Sequence, residues 1–291
     1  MSKSSHFLNI DARIAADPSA PYVVLPVPYE RTVSYGHGTA RGPDAILRAS
    51  REVEDFDEEL KIPMGLAVQT LRPLSFKRCT DSRAMDVIRT AAAKELKRKR
   101  FLLTLGGEHS ITPPVVDAAI RNGGVRSVLQ LDAHADLRDN FRGTLLSHAC
   151  ALRRCRELGV RTVHVGIRSC STTEHTYVRQ GQIPVFWAAD ILQEEDDAWI
   201  AAVCRQLESP VYVTVDIDVF EPALVPGTGT PEPGGLGWGQ VTRLLRRVFA
   251  AHTVVAADVV EVAPIPHTQV SEYVAARLGA KMLLYHRCRK Q

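Results

Sequence analysis

The sequence has few cysteines, no long apolar run and almost no excess of charge. Its six cysteines are scattered without a Cys-x-x-Cys pair, which argues against a disulfide framework and favours a reduced, intracellular protein. Because no run is long enough to span a bilayer and the N-terminus shows no apolar signal core, we expect a cytoplasmic protein without a membrane partner. A formal net charge of +3 in 291 residues does not indicate nucleic-acid binding.

The order of predicted elements indicates an α/β protein with a mainly parallel sheet, because strand-like apolar runs alternate with amphipathic helices. Examples are a strand over Tyr22–Tyr29, a helix over Ser82–Arg100 and a closing helix over Ser271–His286. The sequence shows no repeat, linker or break in composition after the polar segment 1–21. We therefore expect a mobile N-terminal arm over residues 1–21 and one domain over residues 22–291.

The segment Val125–Asp136, VRSVLQLDAHAD, carries the first chemical signal. Its apolar part is typical of a buried parallel strand, and Asp132, His134 and Asp136 follow at alternating positions. In an extended chain these three side chains point the same way. Two carboxylates and an imidazole together would be costly to bury without a cation, so they indicate a metal site. The structural alternative is a polar loop whose aspartates cap the next helix.

Two further apolar runs end in the same kinds of residue. Pro210–Val219 contains Asp216 and Asp218, and Phe101–Gly107 leads into His109. Parallel strands place their carboxyl ends at one edge of the sheet, where α/β proteins bind ligands. The candidate ligands are His109, Asp132, His134, Asp136, Asp216 and Asp218. Six ligands are too many for one tetrahedral zinc ion and suit two ions that share carboxylates, and the oxygen-rich set favours Mn²⁺.

Two loops with many glycines follow strands and are candidates for the walls of a site. They are Thr32–Gly42 and the long Phe220–Gly237, and a loop of the latter length inside a domain is usually functional. For Thr32–Gly42, the alternative that the loop only connects a strand to a helix stays equally open.

The motifs resemble those of the ureohydrolase family, which includes arginases and agmatinases. The matching segments are Gly106–Ser110 (GGEHS), Asp132–Asp136 (DAHAD) and Asp216–Asp218 (DID), supported by Ser147-His148 and Glu261. The likeness spans about residues 22–285 and is greatest to agmatinases. It implies a single-domain, three-layer α/β fold, two Mn²⁺ ions per subunit, release of urea from a guanidino substrate, and a homotrimer or homohexamer.

The resemblance also implies a role for each ligand: one ion is held by His109 and Asp136, the other by His134 and Asp218, and both by Asp132 and Asp216. Asp136 would also orient the attacking water. His148 would carry a proton to the leaving amine, and Glu261 would bind the guanidinium. From the residues alone, both His148 and Glu261 have a structural alternative. His148 would be a solvent-facing histidine at a helix start, and Glu261 would form an ion pair at a strand end.

The expected reaction is hydrolysis of agmatine to putrescine and urea. Arg138 stands where arginases usually have an asparagine that holds the substrate carboxylate, and we expect its side chain to point away from the pocket. Glu108 and Glu221 stand where many members have Asp, and Ala149 where arginases have Gly. Alternative substrates are guanidinobutyrate, aminopropyl-agmatine and arginine. More remote alternatives are another binuclear metallohydrolase and a non-catalytic homologue.

Overall fold

The central feature of the computed structural model, which describes residues 6–194 and 196–289, is an eight-stranded sheet. The strands within the described residues are β1 (Tyr22–Val27), β2 (Phe56–Asp57), β3 (Ile62–Pro63), β4 (Val68–Thr70), β5 (Phe101–Gly106), β6 (Ser127–Leu131), β7 (Arg161–Ile167), β8 (Val185–Trp187), β9 (Val211–Asp216) and β10 (Val254–Val260). The large sheet has the order β4-β1-β5-β10-β9-β6-β7-β8, and every pairing in it is parallel. The predicted fold class is therefore confirmed.

Helices cover both faces of this sheet. The α-helices of the described residues are α1 (Ala12–Ala16), α2 (Gly42–Ser50), α3 (Asp81–Lys97), α4 (Thr112–Gly123), α5 (Ala151–Glu157), α6 (Thr172–Gln180), α7 (Ala188–Ile191), α8 (Ala198–Gln206), α9 (Trp238–Ala251) and α10 (Val270–Arg289). Their ends follow local sequence signals. Thr80 caps α3 by accepting from the Arg83 N–H, and Gly124 ends α4 with a φ of 68°.

Two hydrophobic cores separate the three layers. Alternate residues of a strand point to opposite faces, so Leu102 of β5 packs among α3 and α4 whereas Leu103 packs toward α9 and α10. Both faces of the inner strands are buried, which explains their nearly continuous apolar sequence. None of the helices in the described part of the chain is both long and apolar enough to cross a membrane.

The N-terminal segment differs from the expected mobile arm over the residues that the structure describes, which begin at residue 6. Phe7 is fully buried, and the Leu8 N–H donates to the Ser50 hydroxyl at 2.8 Å. Helix α1 follows and lies against β4. The apolar side chains near residue 7 were too few to predict this docking, and the first five residues lie outside the described part.

The acidic segment between α2 and β4 forms a small hairpin, β2–β3, that the sequence did not predict. Asp57 at the end of β2 and Glu59 in the turn each lie 2.9 Å from the ammonium of Lys281 on α10. Asp57 and Lys281 are 0% and 1% exposed. This ion-paired group, defined here as the Lys281 cluster, holds the hairpin on the outer layer.

The strand order explains how distant segments meet. Strands β5, β10, β9 and β6 are consecutive neighbours in the sheet, and their carboxyl ends carry all the candidate ligands together with Glu261. Residues separated by more than 150 positions thereby reach one edge of the sheet.

Candidate metal centre

Three carboxylates surround His109, which follows β5 and is fully buried. Its Nδ1 lies 3.1 Å from Asp132 Oδ2, 3.0 Å from Asp136 Oδ2 and 3.3 Å from Asp216 Oδ2. This buried Nδ1 has no hydrogen bond of good geometry among the described residues. A nitrogen and three oxygens that converge without satisfying one another are a donor set that fits a cation.

A second group lies beside the first and shares Asp132 with it. His134 Nδ1 is 2.9 Å from Asp218 Oδ2 and 3.7 Å from Asp132 Oδ1. Potential ligand atoms of His109, Asp132 and Asp136 lie within 4.8 Å of one another, and so do those of Asp132, His134 and Asp218. The structure thus brings all six predicted ligands together, as two groups that meet at Asp132.

In the described part of the chain, the four aspartates of this cluster have ion-pair contacts only with the imidazoles of His109 and His134. Burial lowers the pKa of His109, but the neighbouring aspartates raise it well above its ordinary value. Burial and the charge of Asp132 raise the pKa of Asp136 to about 7. Four buried aspartates therefore lack compensating charge when the histidines are neutral. Two divalent cations would supply four positive charges, so the residues fit a binuclear centre.

Two buried hydrogen-bond networks hold the candidate ligands His109 and Asp132 in place. His109 Nε2 is 2.9 Å from the Thr214 hydroxyl, so its second nitrogen is held while Nδ1 faces the carboxylates. On the other side, the Gln130 amide donates to Asp132 Oδ2 at 2.6 Å, and its oxygen is held by His164 Nδ1. Sequence analysis missed Thr214 and Gln130, although both lie on strands that carry ligands and point to the same edge.

Two residues of the site have a left-handed backbone, with φ values of 52° for Asp136 and 63° for Glu261. This region is uncommon for residues other than glycine and is found at functional sites. Glu261 directly follows β10, Asp136 lies in the loop after β6, and both have a carboxylate oxygen close to His109. Glu261 Oε1 accepts from the His109 N–H at 2.6 Å, and its other oxygen has no hydrogen-bond partner among the described residues.

A cavity of about 220 Å³ opens over the cluster. Its floor includes His134, Asp136, Asp218 and Glu261, and His148 lies in its wall. Burial and, as smaller causes, the positive charges of His109 and His134 lower the pKa of His148 to about 4. The imidazole is then neutral near pH 7 and has a nitrogen lone pair that can accept a proton.

The expected loops form the remaining walls. Residues 33–36, 169–171 and 228–230 line the cavity. Arg168 fixes the long loop after β9 by donating to the carbonyls of Asp218 and Glu232, both at 2.7 Å. The sequence offered no signal for this arginine beyond its place at the end of β7.

Arg138 does not point away from the cavity, and that expectation is wrong. Its side chain lines the wall, its Nε lies 3.7 Å from Glu174 Oε2, and its guanidinium lies 4.9 Å from the centre of the Phe141 ring. The reason is local: the Arg138 N–H is tied to the Ala149 carbonyl at 3.1 Å, which keeps the chain beside His148. Glu174 offsets part of the positive charge.

The family model for the arginase family matches residues 20–285. The chain belongs to the arginase family. A similar curated protein is the N(1)-aminopropylagmatine ureohydrolase of Synechocystis sp., which is 38% identical over 96% of this chain and 93% of its own length. The agmatinase of Pyrococcus horikoshii is 34% identical over 84% of each chain. The agmatine ureohydrolase structure of Thermoplasma volcanium covers 96% of this chain and 92% of its own, with a TM-score of 0.82 and 28% identity.

As a member of the arginase family, the chain is a hydrolase of the ureohydrolase type, which releases urea from guanidino compounds. The predicted resemblance is confirmed. Among the residues that carried it, His109, Asp132 and Asp136 belong to the cluster, and His148 and Glu261 line the cavity.

Proposed function

We propose that this arginase-family enzyme hydrolyses agmatine to putrescine and urea, using two Mn²⁺ ions. The observation that carries the proposal is that one cavity is lined both by members of the two-part ligand cluster and by Glu261, whose Oε2 has no hydrogen-bond partner among the described residues. The ions would be held by His109 and Asp136, by His134 and Asp218, and jointly by Asp132 and Asp216. Bound there, they would activate a water molecule as a nucleophile at neutral pH.

The protein residues supply binding and proton transfer in this proposal. Glu261 Oε2 accepts hydrogen bonds from the guanidinium N–H groups and places the guanidinium carbon above the cluster. Asp136 orients the attacking water. As water adds to the carbon and the bond to the alkyl nitrogen breaks, His148 transfers a proton to the leaving amine. The low pKa of His148 keeps it neutral and able to accept that proton first.

A second candidate is N(1)-aminopropylagmatine, since relatives with that name are among the most similar curated proteins. It differs from agmatine only in an added aminopropyl group, so the same guanidinium contacts serve both.

A guanidino acid is a third candidate, favoured by one observation: Arg138 is a cation in the cavity wall. Its pairing with Glu174 weakens that argument, because the pair presents little net charge to a substrate tail.

A steady-state panel separates these candidates. Urea release is measured from agmatine, N(1)-aminopropylagmatine, arginine and guanidinobutyrate, in wild-type protein and in Arg138→Ala. We expect the two amine substrates to give the highest kcat/KM. Removal of Arg138 should leave their kcat/KM unchanged or raise it by up to about fivefold, the equivalent of about 1 kcal/mol for an ion pair whose arginine is partly exposed.

The matched control is Arg142→Ala, since Arg142 also contacts the Phe141 ring but does not line the cavity. Faster turnover of guanidinobutyrate than of either amine, abolished by Arg138→Ala and retained in Arg142→Ala, would replace the proposal with the guanidino-acid function. Absence of urea release from every substrate by the Mn²⁺-loaded protein would refute the catalytic proposal itself.

We also propose a homotrimer or homohexamer in a reducing compartment, the cytoplasm. The family resemblance supports the oligomer, and the six cysteines support the compartment because none forms a disulfide in the structure. Light scattering of the purified protein tests the first proposal.

A further inference from the structure

Glu108 is a fully buried carboxylate that lies outside the metal cluster and accepts four hydrogen bonds. Its Oε2 accepts from the backbone N–H groups of Arg31 and Thr32, both at 2.6 Å. Its Oε1 accepts from the hydroxyls of Thr32 at 2.8 Å and Ser110 at 2.5 Å. Both oxygens therefore receive two donors each, and the carboxylate fixes the start of the loop after β1.

The Thr32 hydroxyl links this carboxylate to His148. A hydroxyl has one proton and two lone pairs, and here the proton is directed to Glu108. Toward His148 the oxygen can only accept: it lies 3.0 Å from the backbone nitrogen and 3.1 Å from Nδ1. The ring nitrogen Nδ1 must then carry a proton. Ser147 Oγ is a more distant second neighbour of Nδ1, at 3.5 Å.

The remaining ring nitrogen is the one available for chemistry. His148 Nε2 has no hydrogen-bond partner among the residues that the structure describes, and the side chain lines the cavity. A proton shuttle needs its lone pair on the nitrogen that faces the substrate, and a ring free to rotate or to change tautomer would present it only part of the time.

We infer that Thr32, held by Glu108, is a positioning residue that fixes His148 in the Nδ1-protonated tautomer with Nε2 toward the cavity. The inference rests on the proposed function through the shuttle role of His148. It also accounts for glutamate at position 108. The hydrogen-bonded series Glu108–Thr32–His148 joins the end of β5 to the loop after its neighbour β1. An aspartate at position 108, one methylene shorter, would have less reach to Thr32.

The test compares Thr32→Val, which removes the hydroxyl with little change of shape, and Thr32→Ser, which keeps it. The control for loss of a buried threonine hydroxyl is Thr104→Val. Thr104 lies on β5, and its hydroxyl is buried without a hydrogen-bond partner among the described residues, so it is not part of the network around His148. Metal content and thermal unfolding are measured for every variant to show that the fold and the centre are retained.

The first readout is the tautomer of His148, which needs no substrate. Histidine-selective ¹⁵N labelling with Zn²⁺ in the centre, which is diamagnetic, gives the protonated nitrogen near pH 7, and the His148→Asn spectrum assigns the signal. We expect protonated Nδ1 in wild type, Thr32→Ser and Thr104→Val, and a mixture or protonated Nε2 in Thr32→Val.

The second readout is turnover of the best substrate with Mn²⁺. We expect kcat of Thr32→Val to fall roughly 10- to 100-fold, as for other partners that orient an imidazole, with KM little changed and Thr32→Ser close to wild type. A wild-type tautomer and kcat in Thr32→Val would overturn the inference, and so would an equal loss in Thr32→Ser. If Thr32→Val does not fold, Thr32→Ala takes its place. If wild type releases no urea, the proposed function fails while the tautomer still decides the inference.

Discussion

Asp132 is the carboxylate that belongs to both halves of the candidate metal centre, and its replacement by asparagine tests the centre most directly. The change keeps the volume but removes a negative charge. One oxygen of Asp132 accepts from Gln130 Nε2 and the other from the His134 N–H, both at 2.6 Å. An amide NH₂ in either place would therefore meet another donor. We expect Asp132→Asn to lose both ions and all activity that depends on them.

The expected effect of metal binding on thermal stability follows from the linkage between binding and folding. An ion present at 100 times its Kd stabilises the folded state by about 2.7 kcal/mol, so two ions contribute roughly 5 kcal/mol. At about 2 °C for each kcal/mol in a chain of this size, saturating Mn²⁺ should raise the Tm of the wild type by on the order of 10 °C. Asp132→Asn should show almost none of this shift, and Asp218→Asn, which belongs to one half only, about half of it.

The assay is thermal unfolding with and without Mn²⁺, together with elemental analysis of the metal-loaded protein. Asp117→Asn is the matched control, because Asp117 is a buried aspartate on α4 that pairs with Arg89 instead of lining the cluster. It should retain two ions and the full shift. Two bound ions, or a wild-type shift, in Asp132→Asn would refute the shared-ligand reasoning.

Two other predictions concern the proton shuttle and the Lys281 cluster. His148→Asn should keep both metals while kcat falls roughly 10²–10⁴-fold, and an unchanged kcat with a normal pH profile would contradict the shuttle role. Lys281→Met should cost about 3 kcal/mol in urea unfolding because Asp57 stays buried without its main partner, and Asp57→Leu added to it should recover part of the loss. Burial raises the pKa of Glu59, but hydrogen bonds from Tyr285 and Lys281 lower it overall. Its contribution is therefore present above about pH 4.5 and is lost as the pH falls through the folded-state pKa; equal acid unfolding in wild type and Lys281→Met would disprove it.

The sheet and the proximity of the six candidate ligands could be predicted because both depend on short patterns. A buried parallel strand is visible as an apolar run, and parallel strands must end at a common edge, so acids and histidines directly after Leu131 or within Asp216–Asp218 meet whatever the loops do. The order of strands was not needed for this conclusion.

Contacts made by single side chains across the fold could not be predicted. Thr32 and His148 are 116 positions apart, and nothing in either neighbourhood indicates the other. Arg138 was placed wrongly because its direction depends on a backbone bond to Ala149, which the sequence does not show. The docking of Phe7 similarly depends on a space beside Gly279 of the last helix.

The cavity walls meet at a pair of glycines. The Gly36 N–H donates to the Gly229 carbonyl at 3.0 Å, and a Cβ on Gly36 would lie 2.7 Å from that carbonyl oxygen. The two loops are thus joined through main-chain atoms at a point where neither has a side chain. The backbone therefore fixes the spacing of the two loops at this point, and the neighbouring residues Tyr35 and Thr230 line the cavity. We therefore expect substitutions at Tyr35 or Thr230 to change the lining of the cavity while the main-chain bond between the two loops is kept.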